Sequence, residues 1–430
     1  MDSNHQLASR LAAAVPRGIS IATPLFAARA ENAELWDVEG RRYIDFAGGI
    51  AVQNIGHRHP RVLAAVRDQL DAFTHTCFQV TPYEVYVRLA ERLNRLAPGS
   101  SAKKTIILST GAEAIENAVK IARAATGRPA IISFSGAFHG RTMMALALTG
   151  KNYPYKAGFG PFSADVFHAT FPDAYRGVSI EASLASIDQI FRADVEASRV
   201  AGIVIEPVQG EGGFNVAPFE FMRALRTLCD RYGILLIADE IQTGFGRTGK
   251  MFAVEHSGIA PDLIAIAKAL GGGFPISAVI GRADVMDAPA PGGLGSTFAG
   301  NAVSCAAGLA VLDVMEEEGV LARAGKLGEH VAQRLRAMQA DQRFACIGDV
   351  RGLGPMLAME FVKHRESKEP APELAKSITA RAAERGLIVI SCGIYANVVR
   401  VLMPLTMSLE MADEGLEILQ ASMLDAIANS

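Results

Sequence analysis

The chain has 430 residues, is 50% hydrophobic and carries 42 basic against 45 acidic residues for a net charge of -3. These values fit a large soluble protein of roughly two or three domains with a sizeable core. No block of like charge marks a nucleic-acid groove or a basic membrane surface, and no apolar run approaches the roughly 20 residues of a membrane span. Nucleic acid and membrane are therefore not expected as partners, and small-molecule chemistry is. The five cysteines, Cys77, Cys229, Cys305, Cys346 and Cys392, are far apart and form no CxxC pair, which argues for a reducing compartment and against a structural metal.

At the start, MDSNHQLASRLAAAVPRG lacks the long apolar core of a secretory signal. Arg10 and Arg17 around LAAAV leave a weak organelle-targeting helix as the alternative to a cytoplasmic location, which is the default. Residues 35–46, with a turn at 37–40, predict a hairpin. From about residue 103, short β-branched runs at 105–108, 130–134, 203–205, 234–237 and 263–267 alternate with helical patterns. None shows polar alternation, so they read as strands covered on both faces of a mostly parallel α/β sheet. Between the first two, Ile115, Val119 and Ala122 recur at helical spacing, and Thr126-Gly127-Arg128-Pro129 stops the helix. After about residue 310 long helical patterns take over, with strand candidates at 356–361 and 398–403. The expected organisation is a large α/β domain at 57–315 and a smaller α+β domain at 316–430, joined by an N-terminal segment, 1–56.

In such sheets ligands sit beyond the carboxyl ends of the strands. Here run 203–205 delivers Glu206 and Pro207, run 234–237 delivers Ala238, Asp239 and Glu240, and run 263–267 delivers Lys268, followed closely by Gly271-Gly272-Gly273. Burial favours the neutral amine of a lysine, the form that condenses with a carbonyl, although a lysine there also simply marks where a strand reaches solvent. Asp239 is a loop or helix cap on one reading. On the other, its carboxylate keeps a pyridinium nitrogen protonated, the electron sink of pyridoxal phosphate chemistry. Ser109-Thr110-Gly111-Ala112-Glu113, between a strand and a helix, is either a plain cap or an anion cradle of free N–H groups. Phe138 can stack on a ring or fill core, and Arg141 can fork onto a carboxylate. Gly244-Phe245-Gly246-Arg247-Thr248-Gly249 matches the dinucleotide pattern GxGxxG. It begins five positions past Asp239, opens no clear helix, and the next strand ends in Lys268 instead of an acid, so a nicotinamide site is not expected.

The phrases WDVEGRRYIDFAGGIAV, GHRHP, HTCFQV, ENAVKIARAATGR, FHGRT, IEPVQGEGGF, LIADEIQTGFGRTG, GGFP, FAGN and NVVRVLMPLT run nearly end to end. They resemble class III, fold type I aminotransferases that use pyridoxal phosphate, and among these the 4-aminobutyrate aminotransferases. The resemblance implies a homodimer or dimer of dimers and a ping-pong transamination of 4-aminobutyrate with 2-oxoglutarate to succinate semialdehyde and glutamate. It implies Lys268 as Schiff-base and proton-transfer residue, Asp239 beside the ring nitrogen, Gln242 on the ring-hydroxyl side and Phe138 stacked on the ring. Gly111 and Ala112 would bind phosphate through their backbone, and Thr297 would close that site from a neighbouring subunit. Arg141 would take the distal carboxylate of 4-aminobutyrate and Arg400 the α-carboxylate of glutamate or 2-oxoglutarate. Glu211 would pair with Arg400 when no α-carboxylate is present, since an unpaired buried charge is costly, and Ile50 and Ile241 would form apolar walls.

Two positions depart from the family pattern. Ala112 stands where serine is common, forfeiting a hydroxyl worth about 1 kcal/mol to the phosphate, and Phe138 stands where tyrosine is common, keeping the stack without the phenol. The alternatives are a relative acting on 5-aminovalerate or another ω-amino acid, a fold type I decarboxylase or aminomutase, and a non-catalytic binding protein of the same fold. Arg141, Arg400 and Glu211 favour two-carboxylate transamination, and the intact set of Lys268, Asp239 and Gln242 favours an enzyme.

Overall fold

The computed structural model describes residues 2–429. At its centre lies a seven-stranded sheet of β1 (Lys103–Leu108), β2 (Ala130–Phe134), β3 (Val166–Ala169), β4 (Val200–Ile205), β5 (Leu235–Asp239), β6 (Leu263–Ile266) and β7 (Ser277–Arg282). The order across the sheet is β1-β7-β6-β5-β4-β2-β3, and the pairings are parallel except those of β7, which runs antiparallel between β1 and β6. Every residue of β2, β4, β5 and β6 is buried, as their unbroken apolar runs require of strands covered on both faces. β3 and β7 lie outside the sequence expectation. β3 is a short edge strand that includes His168, and β7 is apolar only at Ala278, Val279 and Ile280, too brief a run to stand out.

The helix Gly111–Thr126 packs on this sheet. Thr110 caps it by accepting the Glu113 N–H at 3.2 Å, and Ile115, Val119 and Ala122 are buried against Leu108, Ile237 and Val279. Each Ile or Val so removed from water contributes about 1.5–3 kcal/mol. Register then decides what emerges where: Ala238 pairs with Ile205 and Asp239 with Ala265, so the residues following β4, β5 and β6 leave the sheet side by side.

A second core joins the two ends of the chain, with Ala33, Ile44 and Phe46 packed among Leu335, Met359, Val399 and Leu416. The hairpin expected at 35–46 consists of Glu34–Asp37 and Arg42–Asp45, widened by Ala27–Glu31 on one side and by Leu387–Ile388 on the other. Ile347–Leu353, Met356–Phe361, Val398–Val401 and Ile390–Cys392 form a four-stranded antiparallel sheet. Its third strand, expected to reach 403, stops at Val401 because the Leu402 N–H turns away to the Phe46 carbonyl at 2.7 Å. Ile55 and, from the other end, Val320, Ala324 and Leu405 pack into the large core. At the N-terminus the helix Asn4–Ala14 is docked through Asn4, which donates to Asp37 and accepts from the Phe26 N–H at 2.8 Å.

The GxGxxG stretch is a buried turn. Arg247 within it is fully buried, donating to the Met403 carbonyl at 2.9 Å and to the Asn54 side chain, so the motif ties segments of the chain together and opens no helix for a pyrophosphate. Among the described residues no helix is long and apolar enough to cross a membrane.

Candidate active site

The carboxyl edge of the parallel strands opens onto a cavity of about 500 Å³ lined by Gly111, Ala112, Phe138, Asp239, Gln242 and Lys268, with Ile241 on its wall. Its floor follows from strand register. Asp239 is the last residue of β5, Glu206 is the first past β4, and Lys268 lies just beyond β6. At Lys268 the backbone enters the left-handed region with φ 47°, a conformation costing about 1–3 kcal/mol in a non-glycine residue and typical of sites where the fold over-determines a side chain. Burial pushes the amine below its ordinary value, against the pull of Asp239, Glu211 and Glu206, so the neutral nucleophile is favoured.

Asp239, 3% exposed, is held by groups for which the sequence carried no signal. Its Oδ1 accepts the Ile241 N–H at 3.1 Å, and its Oδ2 lies 2.7 Å from His139 Nδ1. His139 Nε2 is 3.1 Å from Ser133 Oγ, whose own hydrogen goes to the Leu148 carbonyl. His139 thus bridges the carboxylate and the serine hydroxyl, which fixes its ring beside Asp239. Burial alone would push the imidazole down, yet the hydrogen bond and charge of Asp239 hold it above its ordinary value. Glu206 accepts the N–H groups of Phe138 at 2.9 Å and Gly210 at 3.1 Å, and burial, with Asp239 nearby, pushes it up to about 7.

The residues fit a flat anionic cofactor. The Gly111–Thr126 helix starts at the cavity with the N–H groups of Gly111 and Ala112 unused by the helix, and its dipole is positive there. Gly140, at φ 129°, lets the chain pass so close that a Cβ would stand 2.6 Å from that of Ala112. Gln242 presses its amide on Gly210, where a Cβ would collide with it, and its Oε1 is buried without a partner. Lining the cavity, that oxygen is free to meet a group bound there. Among the described residues no cluster of His, Cys, Asp or Glu could hold a metal ion.

Around the mouth lies a larger cavity of about 1110 Å³ that shares Phe138, Arg141, Glu211 and Lys268 with the first and adds Ile50, Tyr155 and Arg400. Arg400, 4% exposed on the strand Val398–Val401, donates from Nη1 to Glu211 Oε1 at 2.5 Å. Each holds the other charged against burial: Arg400 is raised and Glu211 lowered from their ordinary values. The Arg400 Nε–H is buried without a partner. Arg141 forms no ion pair among the described residues, and its guanidinium stands 4.9 Å over the Tyr155 ring. Ile50 reaches the mouth from a left-handed turn with φ 60°. Thr297 is exposed and lines neither cavity of its own chain.

A seven-stranded sheet of this order, carrying a lysine, an aspartate and a helix N-terminus at one edge, defines a fold type I pyridoxal phosphate enzyme. Residues 17–423 match the class III aminotransferase family, and the chain belongs to it; it is a transaminase that uses pyridoxal phosphate. It is 55% identical over 426 residues to the 5-aminovalerate aminotransferase of Pseudomonas aeruginosa, covering 99% of each chain. It is 53% identical to the 4-aminobutyrate aminotransferase of Escherichia coli, covering 97% of this chain and 98% of the other. Among solved structures it resembles an (S)-enantioselective ω-transaminase from Thermomicrobium roseum, with a TM-score of 0.91, 30% identity and 99% of each chain covered.

Proposed function

We propose that the chain transfers the amino group of 4-aminobutyrate to 2-oxoglutarate by a ping-pong reaction, releasing succinate semialdehyde and then glutamate. One observation carries the reading: a buried arginine, Arg400, is neutralised by a carboxylate of its own chain, while a second arginine, Arg141, stands unpaired across the same cavity. A donor with only a distal carboxylate needs Arg141 and leaves Arg400 idle, so Glu211 must cover it. Glutamate and 2-oxoglutarate bring an α-carboxylate that displaces Glu211 and meets Arg400 at its free Nε–H edge.

When bound, pyridoxal phosphate supplies the aldehyde that condenses with the amine and the electron sink for the carbon that loses a proton. Lys268 would hold it and, with Nζ neutral, take the proton from the amine-bearing carbon and deliver it to the cofactor side. Asp239, held by His139 at 2.7 Å, would keep the ring nitrogen protonated. Gln242 would face the ring hydroxyl, Gly111 and Ala112 the phosphate, and Phe138 the ring face. Ala112 and Phe138 remove no catalytic group.

A dimer that brings Thr297 of the partner subunit to the phosphate is proposed on the exposed Val80 and Phe298, which flank two loops joined by the Gln79 amide and the Leu294 carbonyl at 3.0 Å. A cytoplasmic location and the division into 57–315 against 1–56 with 316–430 are proposed as well, the latter supported by the separate core shared by the two chain ends. A second reading, 5-aminovalerate as donor, is favoured by the 55% and 53% identity to two enzymes of that name. One methylene is worth only about 1–3 kcal/mol, so both donors can be processed. The Arg141, Arg400 and Glu211 set favours two-carboxylate transamination over a decarboxylase or aminomutase. The test is a scan of ω-amino donors with 2-oxoglutarate as acceptor: 4-aminobutyrate should lead, with parallel double-reciprocal lines. Intersecting lines would sink the ping-pong scheme, and a lead for 5-aminovalerate would select the second reading.

A further inference from the structure

We infer that Tyr155 is a positioning residue that sets the preference between the two carboxylate substrates by holding Glu211 against Arg400; the inference rests on the two-carboxylate reading above. Tyr155 lies in the irregular segment that follows Gly150, and nothing in its neighbourhood along the chain marks it. Its hydroxyl donates to Glu211 Oε2 at 2.9 Å, while Arg400 donates to Oε1 at 2.5 Å. One carboxylate is thus held on both oxygens by donors from separate elements.

The phenol is itself clamped. Its ring lies 4.9 Å from that of Phe138, and the Arg141 guanidinium stands 4.9 Å over it. Burial and the charge of Glu211 push its ionisation well up, so it remains a donor throughout the working range. The Glu211 backbone is fixed independently: its carbonyl accepts the Gly393 N–H at 3.0 Å, and the Gly393 carbonyl accepts from Lys151 at 2.7 Å. The part of residue 211 that must move when an α-carboxylate arrives is therefore its side chain, and a clamped hydroxyl aims that side chain at Arg400. Tyr155 contributes to the closed arrangement, which 4-aminobutyrate uses, and opposes the open one, which glutamate and 2-oxoglutarate require.

Tyr155→Phe removes the hydroxyl and keeps the ring. In rapid-mixing half-reactions of the holoenzyme, the rate constant for 4-aminobutyrate divided by that for glutamate should fall about tenfold, the usual loss for a hydrogen bond to a charged group. The KM for 2-oxoglutarate should fall with it. In a Glu211→Ala background the same substitution should leave the ratio where that background set it. Equal losses in both half-reactions, or an undiminished Tyr155→Phe effect in the Glu211→Ala background, overturns the assignment. Tyr155→Met gives up the ring too and should slow both half-reactions. Phenylalanine must then recover the glutamate side alone, and recovery of both sides or neither also overturns it. If Glu211→Ala moves the ratio and Tyr155→Phe does not, only the Tyr155 assignment falls. If Glu211→Ala leaves the ratio unmoved, the two-carboxylate reading fails and takes this one with it.

Discussion

The floor and the rim of the cavity are built differently. The floor consists of residues at or just past the ends of neighbouring strands, Glu206, Asp239 and Lys268, spaced by sheet register and backed by the His139–Ser133 chain. The rim draws Ile50, Arg141, Tyr155 and Glu211 from loops and only Arg400 from a strand, which belongs to a different sheet. Register leaves the floor almost no freedom, which suits chemistry that must hold a cofactor in one pose. Side chains meeting across loops can separate and rejoin, which suits a pocket that must serve two unlike substrates in turn.

The widest contrast comes from the floor. Lys268→Ala should remove the lysine-dependent visible absorbance of the holoenzyme and bring transamination below detection with every donor; a retained band would show that another residue holds the cofactor. The rim should instead fail selectively. Arg400→Ala leaves Glu211 buried without its partner and removes the α-carboxylate site. The KM for 2-oxoglutarate should rise about a hundredfold, in the range seen when one member of a buried pair is truncated, while the 4-aminobutyrate half-reaction loses far less. Equal losses on both sides would erase the distinction between floor and rim.

A pH titration separates the two regions by stability. Glu206 titrates at about 7 in the folded protein against an ordinary 4.5, so the native state keeps a proton that the unfolded chain releases. Its contribution is fully present below 4.5 and is lost as pH rises toward 7. Urea titrations across that window should show the wild type losing ground to Glu206→Gln, and a constant difference would place the carboxylate in a more polar setting. The smallest effect belongs to the mouth. Ile50→Val shortens an apolar wall by one methylene and should shift preference toward 5-aminovalerate by less than about tenfold in a donor competition assay.

Much of the floor is legible from residues 203 to 268, because a parallel strand buried on both faces shows as an unbroken apolar run and the first polar residues after it must lie at the ligand edge. The same reasoning passes over β7, whose apolar stretch is short, and β3, an edge strand with a histidine in it. His139 is overlooked for another reason. A histidine after a strand has no local mark of its partner, and that partner, Asp239, is 100 residues away.

Local pattern and motif thus specify the strands that deliver Lys268 and Asp239, the helix that starts at Gly111 and the family to which the chain belongs, since these depend on short-range periodicity and on which residue follows which. That Glu211 meets Arg400 across 189 residues is decided only when the core shared by the chain ends docks on the large one. That Tyr155 donates to the same carboxylate from 56 residues away while Arg141 is left without an ion pair is decided by how loops pack within the large part of the chain. A charge declares its sign in the sequence, but its partner is set by distance, and distance between remote segments is a property of the packed cores.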